Sequence, residues 1–150
     1  MKSVVRWALV SALTAPAIVG AQAGSPVVEV YKTPTCGCCG KWVDHLRANG
    51  FNVRVTNMES TGPVQSRHGV PPEIRSCHTA IVDGYVVEGH VPAADVKRLL
   101  KERPGVIGIA VAGMPVGSPG MEVAGTEPHP YYVLSFDKGG RIDKFSSYGR

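Results

Sequence analysis

The chain has 150 residues, with 16 basic and 12 acidic side chains, five histidines and four cysteines. A formal charge of +4, without a Lys/Arg cluster in the body of the chain, gives no basis for a nucleic-acid partner. The length suits one domain behind a targeting segment, and a domain of that size builds a core without needing disulfide staples.

Lys2 and Arg6 form a positive n-region, residues 8–19 an apolar stretch, and Ala21-Gln22-Ala23 a small-x-small cleavage site. These features predict a cleaved signal peptide over 1–23 and an exported single domain over 24–150. The apolar stretch is short for a bilayer and carries Pro16. An uncleaved anchor is the alternative, and the mature chain is expected to have no membrane span. Removing Lys2 and Arg6 leaves 14 basic against 12 acidic residues.

After a loose start at 24–26, residues 27–31 are β-branched and aromatic and predict a strand. A loop follows, and Thr35 is placed to N-cap a helix that begins inside Cys36-Gly37-Cys38-Cys39. Trp42, Val43 and Leu46 recur at helical spacing until Asn49-Gly50 stops the helix. Residues 51–56 alternate as a strand with one buried face. Pro63 opens a short helix, and one further helical turn fits 72–75.

Residues 77–82 and 85–88 read as strands around an Asp83-Gly84 hairpin turn. Pro92 opens a helix with Val96, Leu99 and Leu100 inward, closing before Arg103-Pro104. Residues 105–112 read as a strand or an apolar loop, 113–122 as an ordered loop rich in turn formers, and 131–136 with 141–145 as a terminal hairpin. The resulting fold class is α/β: a thioredoxin-like three-layer fold with a mixed sheet, in the order β-α-β-α-β-β-α, extended by a C-terminal loop and β-hairpin.

Three of the four cysteines fall within four residues. A bridge inside so short a segment removes little chain entropy, so the clustering points to reactivity rather than stapling. Thiolates at a helix N-terminus meet the positive end of the macrodipole and unpaired backbone N–H groups, which lower the thiol pKa. Cys36 and Cys39, at C-x-x-C spacing, can form a disulfide or chelate one ion, and Cys38 adds a third sulfur that a simple dithiol exchanger does not need. In thioredoxin-like sheets the loop entering the third strand lies against the first helix. Thioredoxins carry a cis-proline there, where this chain has Cys77-His78. Cys77 is therefore expected to complete a four-sulfur set.

Soft thiolates select Cu(I), zinc or iron–sulfur. The adjacent Cys38-Cys39 strains a mononuclear tetrahedral site, whereas bridging thiolates of a multinuclear Cu(I) cluster tolerate the crowding. His78 beside Cys77, and Met114 and Met121 in the loop, are candidate further ligands, with ordinary packing as the plain alternative for each. Trp42 is read as core, His45 as solvated and His90 as a loop residue whose hydrogen bond holds the hairpin exit. His68 and His129 carry no signal.

Cys36-Gly-Cys-Cys-Gly-Lys-Trp42, Gly69-Val-Pro71, Ser76-Cys-His-Thr-Ala80, Gly84-Tyr85, Glu88-Gly-His-Val-Pro92 and the Met114 to Met121 loop together resemble the CopG-like family. These are small exported thioredoxin-like proteins associated with copper resistance, long catalogued as a domain of unknown function. The resemblance spans nearly all of the mature chain and implies copper binding through Cys36, Cys38, Cys39 and Cys77. The leading expectation is a periplasmic Cu(I)-binding protein, with copper ions and other periplasmic copper-handling proteins as partners. Its sulfurs would be redox-active, pairing on oxidation as Cys36–Cys39 and Cys38–Cys77. A binding protein ranks ahead of a copper or thiol oxidoreductase. The alternative function is a thiol–disulfide oxidoreductase acting on proteins, and a structural zinc or purely disulfide-stapled domain comes third.

Overall fold

A computed structural model describes residues 26–149. The expected signal peptide over 1–23, with its cleavage site, lies outside them. The elements run β1 (Val27–Lys32), α1 (Gly37–Ala48), β2 (Asn52–Asn57), α2 (Gly62–Arg67), a 3-10 turn (Pro72–Ile74), β3 (His78–Val82), β4 (Tyr85–Glu88), α3 (Ala93–Glu102), β5 (Gly108–Ala110), β6 (Tyr131–Phe136) and β7 (Ile142–Tyr148). One seven-stranded sheet takes the order β2-β1-β3-β4-β5-β6-β7. The helical crossover makes β1 and β2 parallel, and the Asp83-Gly84 turn, with both residues at positive φ, makes β3 and β4 antiparallel.

Side chains alternate across the sheet and so split the core in two. One face buries Val28, Val30, Ala80, Val82, Val87 and Ile109 against Trp42, Val43 and Leu46 of α1 and Val96 and Leu99 of α3. The other buries Val86, Ala110 and Phe136 against Val70 and Ile74 in the segment after α2. This is the expected three-layer α/β arrangement. The expected terminal hairpin extends the main sheet: β6 pairs with β5 and β7 with β6.

Three expectations differ. Thr35 does not cap α1; Cys36 is the N-cap residue and makes no side-chain cap bond. The second strand has no fully buried face, because it is the sheet's edge, and its side chains are half-buried at best. His45 is not simply solvated. Its Nε2 accepts the backbone N–H of Ala93, the first residue of α3, at 3.0 Å, which satisfies a helix N-terminus from another helix.

That bond requires a neutral imidazole. Burial lowers the His45 pKa from its usual 6.5, opposed by the Glu122 carboxylate. Because the folded value lies below the unfolded one, the contribution is complete above about pH 6.5 and is lost as pH falls through the folded value. Thermal unfolding at pH 7.5 and 5 should therefore show a smaller acid-induced fall in His45→Gln than in the parent. The difference expected is that of a lost helix cap, about 1 kcal/mol. Parallel pH dependences would show that the imidazole cap carries no weight.

Candidate metal centre

The first turn of α1 and the loop before β3 meet at the cysteines. Cys36 and Cys39 form a disulfide with Cα atoms 5.4 Å apart. Cys38 and Cys77 are free, each half-buried. The Cys38 Sγ lies 3.4 Å from the Cys36 Sγ, and the Cys77 Sγ 3.4 Å from the Cys39 Sγ. All four sulfurs fall within 4.8 Å of one another, so the expected four-cysteine set is brought together. The second expected bridge, Cys38–Cys77, is not formed: each free thiol instead flanks one end of the Cys36–Cys39 disulfide.

Cys77 also ends a second set, Cys77, His78 and His90, whose ligand atoms again lie within 4.8 Å of one another. The His78 Nδ1 is 3.5 Å and the His90 Nε2 3.2 Å from the Cys77 Sγ. The His90 Nδ1 lies 2.9 Å from the Pro119 carbonyl, which can only accept, so Nδ1 carries the proton and the Nε2 lone pair faces the sulfur. His90 therefore does hold its loop by a hydrogen bond, as expected, and its other nitrogen joins the site. The signal for it was in the hairpin. Continuing the register Val82↔Tyr85 and Thr79↔Glu88 outward by two residues pairs Cys77 with His90.

The surroundings favour neutral groups. Burial, followed by the charge on Cys38, pushes the Cys77 thiol up to about 11. A metal must therefore displace its proton. Burial, then His90, pulls His78 down to about 3, and burial lowers His90 as well. The His78 Nε2 is buried without a hydrogen-bond partner, and its ring lies 4.4 Å from that of Trp42. With the bridge reduced, four soft sulfurs and two neutral imidazoles, one of them with an orphaned ring nitrogen, make a donor set that fits a soft metal ion.

The loop over 113–122 straps across this end of α1. Met121 lines a shallow cleft with Gly37, Cys38, Lys41, Glu122 and Val123. Met114, by contrast, is 51 % exposed. The strap seats at Gly120, whose φ of +86° suits glycine and where a Cβ would come within 2.8 Å of both the Cys38 carbonyl oxygen and the Trp42 nitrogen. Gly120→Ala should therefore lift the strap from α1 and loosen the Pro119–His90 bond beside it. The expected cost is about 1–3 kcal/mol by denaturant unfolding, as for overpacking against atoms that cannot yield. A variant as stable as the parent would show that the strap is not seated there.

Fold and site together define a thioredoxin-like domain with a cysteine cluster at the start of its first helix. The chain is 44% identical to a solved structure titled "Copper resistance protein copG- Form 2", over 83% of this chain and 99% of that one, with a TM-score of 0.79. It is also 44% identical to a second, "Copper resistance protein copG- Form 1", over 83% and 98%, with a TM-score of 0.77. The chain belongs to the CopG copper-resistance family. A family model described as "Protein of unknown function, DUF411" matches residues 74–121, which carry Cys77, His90 and the strap. None of the curated proteins matches.

Proposed function

We propose that this chain is a periplasmic copper-binding protein that takes up Cu(I) on the thiolates of Cys36, Cys38, Cys39 and Cys77. Residues 1–23 would be its cleaved export signal and 24–150 its single functional domain. The observation that carries the reading is the gathering of four sulfurs within 4.8 Å from two separate elements. Copper on these ligands supplies soft, redox-active metal chemistry; the residues supply the rest. The start of α1 and the loop before β3 bring the sulfurs together, and His78 and His90 present neutral nitrogens beside Cys77. Met121 is the strap's candidate thioether; Met114 would need to turn inward from its exposed position.

The same sulfurs also form a disulfide, so copper and oxidation compete. Forming Cys36–Cys39 passes two electrons to an external disulfide oxidant, together with two protons when the sulfurs are thiols and none when they are copper-bound thiolates, and leaves only Cys38 and Cys77 as reduced sulfurs. Copper release and thiol oxidation are thereby coupled, which suits copper resistance or homeostasis through buffering. Other periplasmic copper-handling proteins are the expected partners.

The second reading, a thiol–disulfide oxidoreductase acting on proteins, is favoured by the Cys36–Cys39 bridge across a C-x-x-C at a helix start. Anaerobic titration of the reduced protein with Cu(I) against a chelator of moderate affinity, counting metal per chain by mass spectrometry, separates the two. More than one copper per chain is expected. No uptake, together with insulin reduction that Cys36→Ser abolishes, would put the second reading in place of the first.

A further inference from the structure

Behind the site, on the α2 face of the sheet, lies a carboxylate that the copper reading leaves unused. Glu88, the last residue of β4, is fully buried. Its Oε1 accepts the Ser76 backbone N–H and the Gln65 Nε2–H, both at 2.7 Å, and its Oε2 accepts the Thr79 hydroxyl at 2.7 Å. Gln65 also donates to the Ser76 carbonyl at 3.0 Å, so Glu88 and Gln65 grip both polar groups of Ser76. The Ser76 hydroxyl donates to the Gly113 carbonyl at 2.5 Å. Against Gly89 the loop has no slack, since a Cβ there would stand 2.6 Å from the Ser76 Cβ.

No salt bridge reaches this carboxylate among the described residues. Burying such a group costs more than filling the space with an apolar side chain of similar volume, unless its bonds do something a methyl group cannot. Two of the three donors, Ser76 and Thr79, flank Cys77-His78 in the chain, and the third, Gln65, also holds the carbonyl of the peptide that enters Cys77. We propose that Glu88 is the positioning residue for Cys77: its carboxylate, with Gln65, fixes the Ser76 peptide groups so that the Cys77 thiol is held against Cys39 and His90.

The purpose of that placement rests on the copper reading, but the placement is measurable without copper. In a Cys36→Ser/Cys38→Ser chain only Cys39 and Cys77 remain. Oxidised glutathione takes their two electrons and two protons, an S–S bond forms between them, and two reduced glutathiones are released. The equilibrium in glutathione buffers gives the effective concentration of one thiol at the other. Glu88→Gln in that background should lower it at least tenfold while circular dichroism reports a folded chain. Gln65→Met, which keeps volume and removes the other half of the grip, should lower it in the same direction, and it decides the matter if Glu88→Gln does not fold.

A residue that only stabilised the fold would lower the unfolding midpoint and leave the effective concentration of the folded chain unchanged; that result overturns the proposal. The two readings fail separately. A parent that takes up no Cu(I) sinks the copper reading and leaves the thiol measurement standing. Unchanged effective concentrations beside a copper-binding parent sink only the role of Glu88.

Discussion

Cys38→Ser and Cys77→Ser should each lower Cu(I) affinity by roughly 100-fold or more while the domain stays folded. Changes around a metal's ligands, without touching them, already cost 10- to 100-fold, so losing a direct sulfur is expected to reach at least the upper end. A serine hydroxyl is a hard, protonated group and does not replace a soft thiolate. The fold should survive because both cysteines are half-buried and outside the two core clusters. The two positions also report different things. Cys38 stands beside Cys36 on the same helix turn, whereas Cys77 is the sulfur that brings the imidazoles of His78 and His90 into reach. Removing Cys38 tests the four-sulfur set alone, and removing Cys77 tests the set together with its histidines. Competition titrations, with circular dichroism as the folding control, supply the measurement. Copper binding by Cys38→Ser equal to the parent's would leave a two-thiolate site on Cys36 and Cys39.

The largest stability effect is expected at Trp42. Its side chain is fully buried at the centre of the α1 face. Its indole N–H donates to the Val91 carbonyl at 2.8 Å, and its ring packs on that of His78. Truncation to alanine therefore removes packing on three elements and leaves a buried carbonyl unpaired. Trp42→Ala should cost about 3–5 kcal/mol, a large part of the roughly 5–15 kcal/mol by which domains are ordinarily stable. Trp42→Phe keeps most of the volume but not the donor, and should cost about 1–3 kcal/mol, the penalty of the orphaned carbonyl. Denaturant unfolding of the oxidised protein gives both numbers. Equal costs for the two variants would show that the hydrogen bond, which both lose, and not packing accounts for the whole effect.

Much of the fold was legible because its signals are local. Asp83-Gly84 specifies its own turn, Pro92 its helix start, and the cysteine cluster its place at the head of α1. The four-sulfur set was legible too, since the loop before the third strand has a fixed position in such sheets. What the sequence hid are relations between distant segments. His45 meets Ala93, 48 residues on, with no pattern to announce it. The terminal hairpin read as an extension, and nothing in residues 131–145 says which edge it will join. Glu88 looked like the polar end of a strand, and only the packing of Gln65 and Ser76 around it exposes its bonds. The missing Cys38–Cys77 bridge reflects a choice among four neighbouring sulfurs that spacing alone leaves open.

The disulfide closes within one turn of α1, while Cys77 stands 38 residues beyond Cys39. The Cys36–Cys39 bridge therefore ties nothing across the fold: β2, α2 and the turn after it remain held by hydrogen bonds and packing without a covalent link, and β2 is a largely exposed edge strand. A bond through Cys77 is different in kind, because it closes the whole intervening segment into a ring. Chain-entropy reasoning gives about 4 kcal/mol for a ring of that size, against about 2 kcal/mol for the four-residue one. The amides of β2 and α2 should accordingly exchange with deuterium much more slowly once the site is filled, and fall back when the chain is oxidised and emptied. The state of the sulfurs can thus be followed from backbone protons that never touch them.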